Sequence, residues 1–284
     1  MTMPGSGNQN NKTLYVTDLD GTLLNSLATI NPYSIEVINS LVEQGMLFTY
    51  ATARSLVSAS VAAKGLSLKI PVIAYNGAFI FYPETGEIIA SEGFEKEERD
   101  KVVRVMKEHQ LYPLVYSYVK SEEKVSWVTS KENEGMRRYL DLRKGDRRLR
   151  PLESEEGLYD GEMFYYTLIG DKEQLQPIHD IFSEDERFTC TLQQELYRTE
   201  YWCEIMPKKA TKANAILKLK ELWNCNKIIS FGDAINDIPM FRISDECYAV
   251  ENAVDELKQL ATATIKGNDE DGVAIWLKEH VKNI

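Results

Sequence analysis

The chain has 284 residues, longer than a typical single domain, so two domains are expected. Hydrophobic residues make up 43% of it, enough for a sizeable core and too many for a disordered protein. Acidic residues outnumber basic ones by 44 to 33, and the formal charge of −11 argues against a general nucleic-acid binder.

Residues 1–11, MTMPGSGNQNN, lack an apolar h-region and read as a disordered leader rather than a signal peptide. A short buried strand is expected over 12–18. It is followed by a helix in NPYSIEVINSLVEQG, with Asn31 as N-cap, Pro32 at the first helical position and an apolar stripe of Ile35, Ile38, Leu41 and Val42. MLFTYA reads as a second strand and ARSLVSASVAAKG as a second helix. PVIAYNGAFIFY gives two more apolar runs around the turn signal Asn76-Gly77. This alternation is the pattern of a parallel sheet covered on both faces. From about residue 85 to 199 the texture becomes charged and tyrosine-rich. Strands are expected at PLVYSYV, KVSWVTS, EMFYYTLIG and FTCTLQQE, and helices at KEERDKVVRVMKEHQ and KEQLQPIHDIFSE. EYWCE (200–204) reads as a core strand leading back. The alternation then resumes with helix TKANAILKLKELW, strand KIISFGD, helix DIPMFRIS, strand CYAV, helix NAVDELKQLA and a final helix in DGVAIWLKEHV. The expected organisation is one α/β domain, residues 12–84 and 200–284, interrupted by a smaller α+β unit at 85–199.

Three strand ends carry chemistry. Asp18 and Asp20 follow LYVT, Thr52 follows LFTYA, and Asp233 and Asp237 follow IISFG. In an open parallel sheet ligands bind outside the carboxyl ends of the strands, so these groups can converge. Turn duty explains each aspartate alone but not their joint placement. Asp18 and Asp20, two apart in extended chain, project to one side, and Asp233 adds a third carboxylate. Such a cluster calls for a cation, and hard oxygen ligands favour Mg²⁺. That arrangement suits phosphoryl transfer, with one carboxylate as nucleophile and one as acid and base. A hydroxyl from Thr52, which could equally cap a helix, and an ammonium from a lysine near 209–212 would complete a cage for phosphoryl oxygens.

DLDGTLL at 18–24, YATAR at 50–54, MPKKATKANAI at 206–216 and FGDAINDIPM at 231–240 resemble, in order, the four motifs of haloacid dehalogenase-like (HAD) hydrolases. The ND after GD and the NDEDGVAIWL near the end resemble the Cof-type IIB branch. The resemblance implies a Rossmann-like core with a parallel sheet and an inserted C2-type (C2B) cap that closes over it. It implies Asp18 as the nucleophile that forms an aspartyl-phosphate, and Asp20 as the acid and base. Thr52 and Lys212 would hold the phosphoryl group. Asp18, the backbone carbonyl of Asp20 and Asp233 would bind Mg²⁺, with Asn236 and Asp237 supporting them. Ala53, which replaces the usual glycine, Arg54, Asn76 and Gly77 are expected beside the substrate. Lys209 stays open as an alternative to Lys212, because the usual Gly-Val-Ser-Lys run is Lys-Ala-Thr-Lys here.

The implied activity is a Mg²⁺-dependent phosphatase acting on small phosphorylated metabolites, with sugar phosphates the leading class. The alternatives are a phosphomutase on sugar phosphates and a non-catalytic binding or regulatory protein of the same fold. The basic stretch RRYLDLRKGDRRLR (137–150) could grip a distal phosphate or nucleic acid, but Asp141 and Asp146 interrupt it and a solvated surface is expected. Cys190, Cys203, Cys225 and Cys247 form no metal-ligating spacing, and buried reduced thiols are expected. No apolar run approaches the roughly 18 residues of a membrane span. A small phosphorylated substrate, no nucleic acid, no membrane, a cytoplasmic location and a monomer or homodimer complete the expectation.

Overall fold

The computed structural model describes residues 12–120, 122–195 and 198–282; the expected leader lies outside them. In chain order come β1 (Thr13–Thr17), α1 (Pro32–Glu43), β2 (Leu47–Tyr50), α2 (Leu56–Ala62), β3 (Val72–Ala74), β4 (Phe79–Phe81) and β5 (Ile88–Ser91). There follow α3 (Lys96–Glu108), β6 (Leu114–Val119), β7 (Glu122–Val128), α4 (Glu134–Asp141) and β8 (Leu149–Leu152). Next are β9 (Glu162–Gly170), α5 (Lys172–Ser183), β10 (Phe188–Gln194) and β11 (Tyr201–Pro207). The chain ends with α6 (Lys212–Leu222), β12 (Lys227–Gly232), α7 (Ile238–Ile243), β13 (Glu246–Val250), α8 (Asp255–Lys258), β14 (Ala263–Ile265) and α9 (Gly272–His280). Two compact units result, one of residues up to Ser91 with those from Thr211 onward, the other Glu92–Ala210.

The first unit is built on a parallel sheet of order β14-β13-β12-β1-β2. Leu14, Val16, Phe48, Tyr50, Ile228, Phe231, Ala249 and Val250 are all fully buried in it, as strands covered on both faces require. In α1, Pro32 sits in the first turn, where its missing N–H breaks no bond, and Val37, Ile38, Leu41 and Val42 form the buried stripe. Burial of Ile38 contributes about 1.5–3 kcal/mol. Ser34 joins that buried stripe because its hydroxyl donates to Asp271, whereas Ile35 is only half-buried. Asn31 precedes the helix but does not cap it through its side chain, which accepts from Asn25 instead. α2 is shorter than ARSLVSASVAAKG because the Ser55 hydroxyl accepts from the Ser58 N–H and starts the helix there.

The chain leaves β1 through α1 to β2 on one side, then returns as β12 on the other. The order therefore reverses at β1, and the carboxyl ends of β1 and β12 form a crevice. β3, β4 and β5 form a small antiparallel sheet joined to β2 by an isolated parallel bridge, Ala51 to Ile73. β14 has no apolar signature because it is an exposed edge, and α8 covers only the middle of NAVDELKQLA.

The second unit has a six-stranded sheet of order β10-β11-β9-β6-β7-β8, antiparallel except between β7 and β8. Val102 and Met106 of α3 and Ile178 and Phe182 of α5 share a buried cluster with Val115, Tyr166 and Ile205 of the sheet. β11 corrects the expectation for EYWCE: it pairs with β9 and β10, not with the core sheet, and Cys203 and Ile205 enter this cluster. An apolar run does not say which sheet it joins. Trp202 packs edge-on against Tyr139 at 5.4 Å between centroids. The unit thus spans 92–210 rather than 85–199, because β5 pairs with β4 and β11 with β9.

Candidate active site

β1 delivers Asp18 to the crevice. The Asp18 N–H donates to the Phe231 carbonyl of β12 at 2.9 Å, which fixes where the strand stops, and its carboxylate is buried. The chain then turns tightly, with Leu23 and Leu24 N–H groups donating to the Leu19 carbonyl. Gly21 is required in that turn: its φ is +76°, and a Cβ there would lie 2.3 Å from Asp233 Oδ2. Thr22, which the motif reading passed over, donates its hydroxyl to Asp233 Oδ1 at 2.8 Å. Its place in DLDGT, directly after the glycine, was the available signal.

β12 delivers Asp233, and a short turn at Ile235–Asp237 follows. Asp237 is fully buried and accepts through Oδ2 from the N–H groups of Asp233 and Ala234, at 3.0 and 3.1 Å. Lys212 opens α6, whose first turn is capped by the Thr211 hydroxyl. The buried Lys212 Nζ donates to Asp18 Oδ1 at 2.5 Å and to Asp237 Oδ1 at 2.7 Å. Lys209 is exposed and paired with Glu95, whereas Lys212 is the lysine that contacts Asp18. Asn236 is exposed on the turn.

β2 ends at the third group. Thr52 is fully buried; its N–H donates to Ile73 and its hydroxyl accepts from the Arg54 N–H at 3.1 Å. The N–H groups of Asn76 and Tyr75 donate to the Thr52 and Arg54 carbonyls, so the Asn76-Gly77 turn is fastened beside Thr52. Gly77 serves packing: at φ +109°, a Cβ would meet the Thr211 carbonyl oxygen at 2.1 Å, so the turn closes on the start of α6. Asn76 Oδ1 is buried without a hydrogen-bond partner among the described residues, and Ala53 is exposed. Asp20 has a different environment from Asp18. Arg54 grips both its oxygens, from Nε at 2.7 Å and from an NH2 at 2.6 Å.

Carboxylate oxygens of Asp18, Asp233 and Asp237 lie within 4.8 Å of one another. Three carboxylates face one ammonium, so the cluster is short of positive charge. Burial pushes the Asp18 carboxyl up to about 7; Lys212 opposes the shift and Asp237 adds to it. Burial likewise raises Asp233 to about 6, against the hydrogen bond from Thr22. Burial works against the Lys212 charge, but Asp18 and Asp237 outweigh it and hold its pKa above the ordinary value. Oxygen-only donors with excess negative charge fit a hard divalent cation, and the cluster suits Mg²⁺. Three arginines of the basic stretch in the second unit are paired locally: Arg138 with Glu134 and Glu200, Arg148 with Glu123 and Asp146, and Arg150 with Asp160. The cysteines are free thiols. No helix among the described residues is long and apolar enough to cross a membrane.

Comparison with known proteins agrees with this geometry. The chain is 29% identical over 285 residues to a 5-amino-6-(5-phospho-D-ribitylamino)uracil phosphatase of Bacillus subtilis, covering 92% of this chain and 96% of that one. It is 23% identical to a pyridoxal phosphate phosphatase of Escherichia coli, covering 93% and 97%. A solved structure from Thermotoga maritima superposes with a TM-score of 0.77 at 26% identity, over 96% of this chain and 98% of that one. A HAD subclass IIB sugar phosphatase shares the fold, with a TM-score of 0.68 at 21% identity over 94% and 98%. The family model described as haloacid dehalogenase-like hydrolase matches residues 15–277, and the chain belongs to that family.

Proposed function

We propose that this Mg²⁺-dependent HAD-type phosphatase hydrolyses phosphomonoesters of small metabolites, with phosphorylated sugars and sugar alcohols the first class to test. The observation that carries the reading is the buried Asp18 carboxylate, held by Lys212 within the Asp233–Asp237 cluster. The relative named for a phosphoribitylamino-uracil supports the substrate class, because its substrate carries the phosphate on a sugar-alcohol chain.

In the proposed chemistry an Asp18 oxygen attacks phosphorus as the bond to the leaving oxygen breaks, and Asp20 gives that oxygen a proton. Water then attacks the aspartyl-phosphate, Asp20 takes a proton from it, and inorganic phosphate leaves with Asp18 restored. Asp18, Asp233 and the Asp20 carbonyl would hold Mg²⁺, with Asp237 and Asn236 supporting them. The metal supplies charge neutralisation that lets an anionic nucleophile approach an anionic phosphate. Thr52 and Lys212 are assigned to the phosphoryl oxygens. Arg54 donates one hydrogen bond to each Asp20 oxygen, which orients the carboxyl and leaves each oxygen a second lone pair for the proton transfer. We assign the Arg54 guanidinium, with Ala53, Asn76 and Gly77, to the substrate side.

The test is phosphate release from p-nitrophenyl phosphate and from a panel of sugar phosphates, sugar-alcohol phosphates and pyridoxal phosphate, with Mg²⁺ or with EDTA. Turnover of several panel members that stops with EDTA is expected. A folded, Mg²⁺-binding protein that releases phosphate from none of them would overturn the hydrolase assignment. Isomerised sugar phosphate without free phosphate would replace it with a mutase.

A further inference from the structure

The loop that carries Asp18 and Asp20 is held from outside by residues none of the roles above uses. The Asn252 amide nitrogen donates to the Gly21 carbonyl at 2.7 Å, and its Oδ1 accepts from the Asn268 N–H at 3.1 Å. Asn268 in turn donates its own amide to the Leu24 carbonyl at 2.9 Å. The Ser26 N–H donates to Asp269 at 2.7 Å, the next residue along. Two asparagines, one after β13 and one before α9, thus brace each other and grip both ends of the tight turn at 21–24. Both asparagine side chains donate to backbone carbonyls of that turn, so these two bonds constrain its path whatever its side chains do.

The same turn after β13 also reaches the other metal-site strand. The Val254 N–H donates to the Asp233 carbonyl at 2.9 Å, two residues beyond Asn252. Between these anchor points the two loops approach as closely as two chains can: Gly21 leaves no room for a Cβ against Asp233, and Thr22 bonds the Asp233 carboxylate. The Asp18 and Asp233 carboxylates carry like charge, which favours separation of the strand ends that bear them. The Asn252 bond to Gly21 and the Val254 bond to Asp233 tie both strand ends to the same turn and oppose that movement.

We propose that Asn252 is a positioning residue, which acts through the Gly21 carbonyl to keep the 18–22 loop against Asp233 and so preassembles the carboxylates for Mg²⁺. Asn268 is the brace that orients it. Residues that orient metal-site groups from outside typically change affinity about 10–100-fold when removed. The inference rests on the reading of the cluster as a Mg²⁺ site, and the experiment separates the two.

Mg²⁺ binding is measured by titration calorimetry, without substrate, for the parent protein, Asn252→Ala and Asn268→Ala, with the thermal midpoint recorded in EDTA. Asn252→Ala is expected to bind Mg²⁺ about tenfold more weakly, with a midpoint close to the parent's. Asn268→Ala should shift affinity in the same direction by less. Should Asn252→Ala fail to fold, Asn252→Ser, too short to span the same distance, carries the same expectation. A folded Asn252 variant with the parent's Mg²⁺ affinity overturns the positioning role and leaves the site reading intact. A parent protein that binds no Mg²⁺ overturns the site reading itself.

Discussion

Charge is arranged in opposite ways in the two units. In the first, Asp18, Asp233 and Asp237 gather around a single ammonium, and burial holds two of the carboxyls above their usual range. In the second, Asp100, Asp146 and Asp185 sit beside their own bases. Arg148 holds the Asp146 carboxyl below the usual value, Lys96 does the same for Asp100, and Arg187 with Lys101 for Asp185. Paired surface charges keep a protein soluble and need no further purpose. Convergent buried carboxylates work against stability, and such a cluster persists where a cation and an anionic substrate use it.

The largest expected effect breaks the first half of that contrast. Asp18→Asn should reduce phosphate release by at least about a thousandfold, as loss of a nucleophile does. The same change removes one buried negative charge, so the thermal midpoint in EDTA should rise. A variant both inactive and less stable would mean that Asp18 is a structural ion-pair partner rather than a strained nucleophile.

Lys212→Met attacks the cluster from the other side. It leaves Asp18 and Asp237 buried without their common cation, and stranding a buried charge typically costs about 3–5 kcal/mol. Urea denaturation in EDTA should show a loss of about 3 kcal/mol, and adding Asp18→Asn should recover part of it. Effects of the two changes that simply add would argue that the charges do not interact.

The raised carboxyls also set a pH response. Asp18 titrates at about 7 and Asp233 at about 6 in the fold, against 3.8 in the unfolded chain. Across that interval the native state binds protons that the unfolded state does not, so the metal-free protein loses stability as pH rises towards 7. A bound divalent cation keeps both groups ionised. The rise in thermal midpoint on adding Mg²⁺ should therefore be small at pH 5 and larger at pH 7. A Mg²⁺ shift that is flat across this range would separate the cation from these carboxylates.

The contrast also explains what the sequence made legible. Asp18 and Asp233 were readable because each stands directly after an apolar strand, and a parallel sheet brings strand ends together; Asp237 follows one short turn after β12. Lys212 was separable from Lys209 only in three dimensions, where one is buried against Asp18 and the other pairs with Glu95. The Arg54 grip on Asp20 joins residues 34 apart through side chains alone, and no periodicity encodes that. Asn252 and Asn268 escaped because they bond to backbone carbonyls, which any residue supplies. β11 was assigned to the wrong sheet because antiparallel pairing with β9 leaves the same apolar signature as a core strand.

The smallest expected effect tests the second half of the contrast. Lys96 and Asp100 form an exposed pair one turn apart on α3, with 2.8 Å between charged atoms. Water and salt screen such a pair, so Lys96→Ala should move the thermal midpoint by less than about 2 °C and leave Mg²⁺ affinity unchanged. The sign of its pH dependence is opposite to that of the cluster. Lys96 lowers the Asp100 carboxyl, so the pair stabilises above the ordinary carboxylate range and loses that contribution as acid protonates Asp100. The difference between parent and variant should therefore shrink as pH falls below the ordinary carboxylate range, and shrink again in 1 M salt, where screening acts over about 3 Å. A Lys96→Ala change in Mg²⁺ affinity would mean that the charges of the two units act on one another, and the separation between solvated pairs and a working cluster would fail.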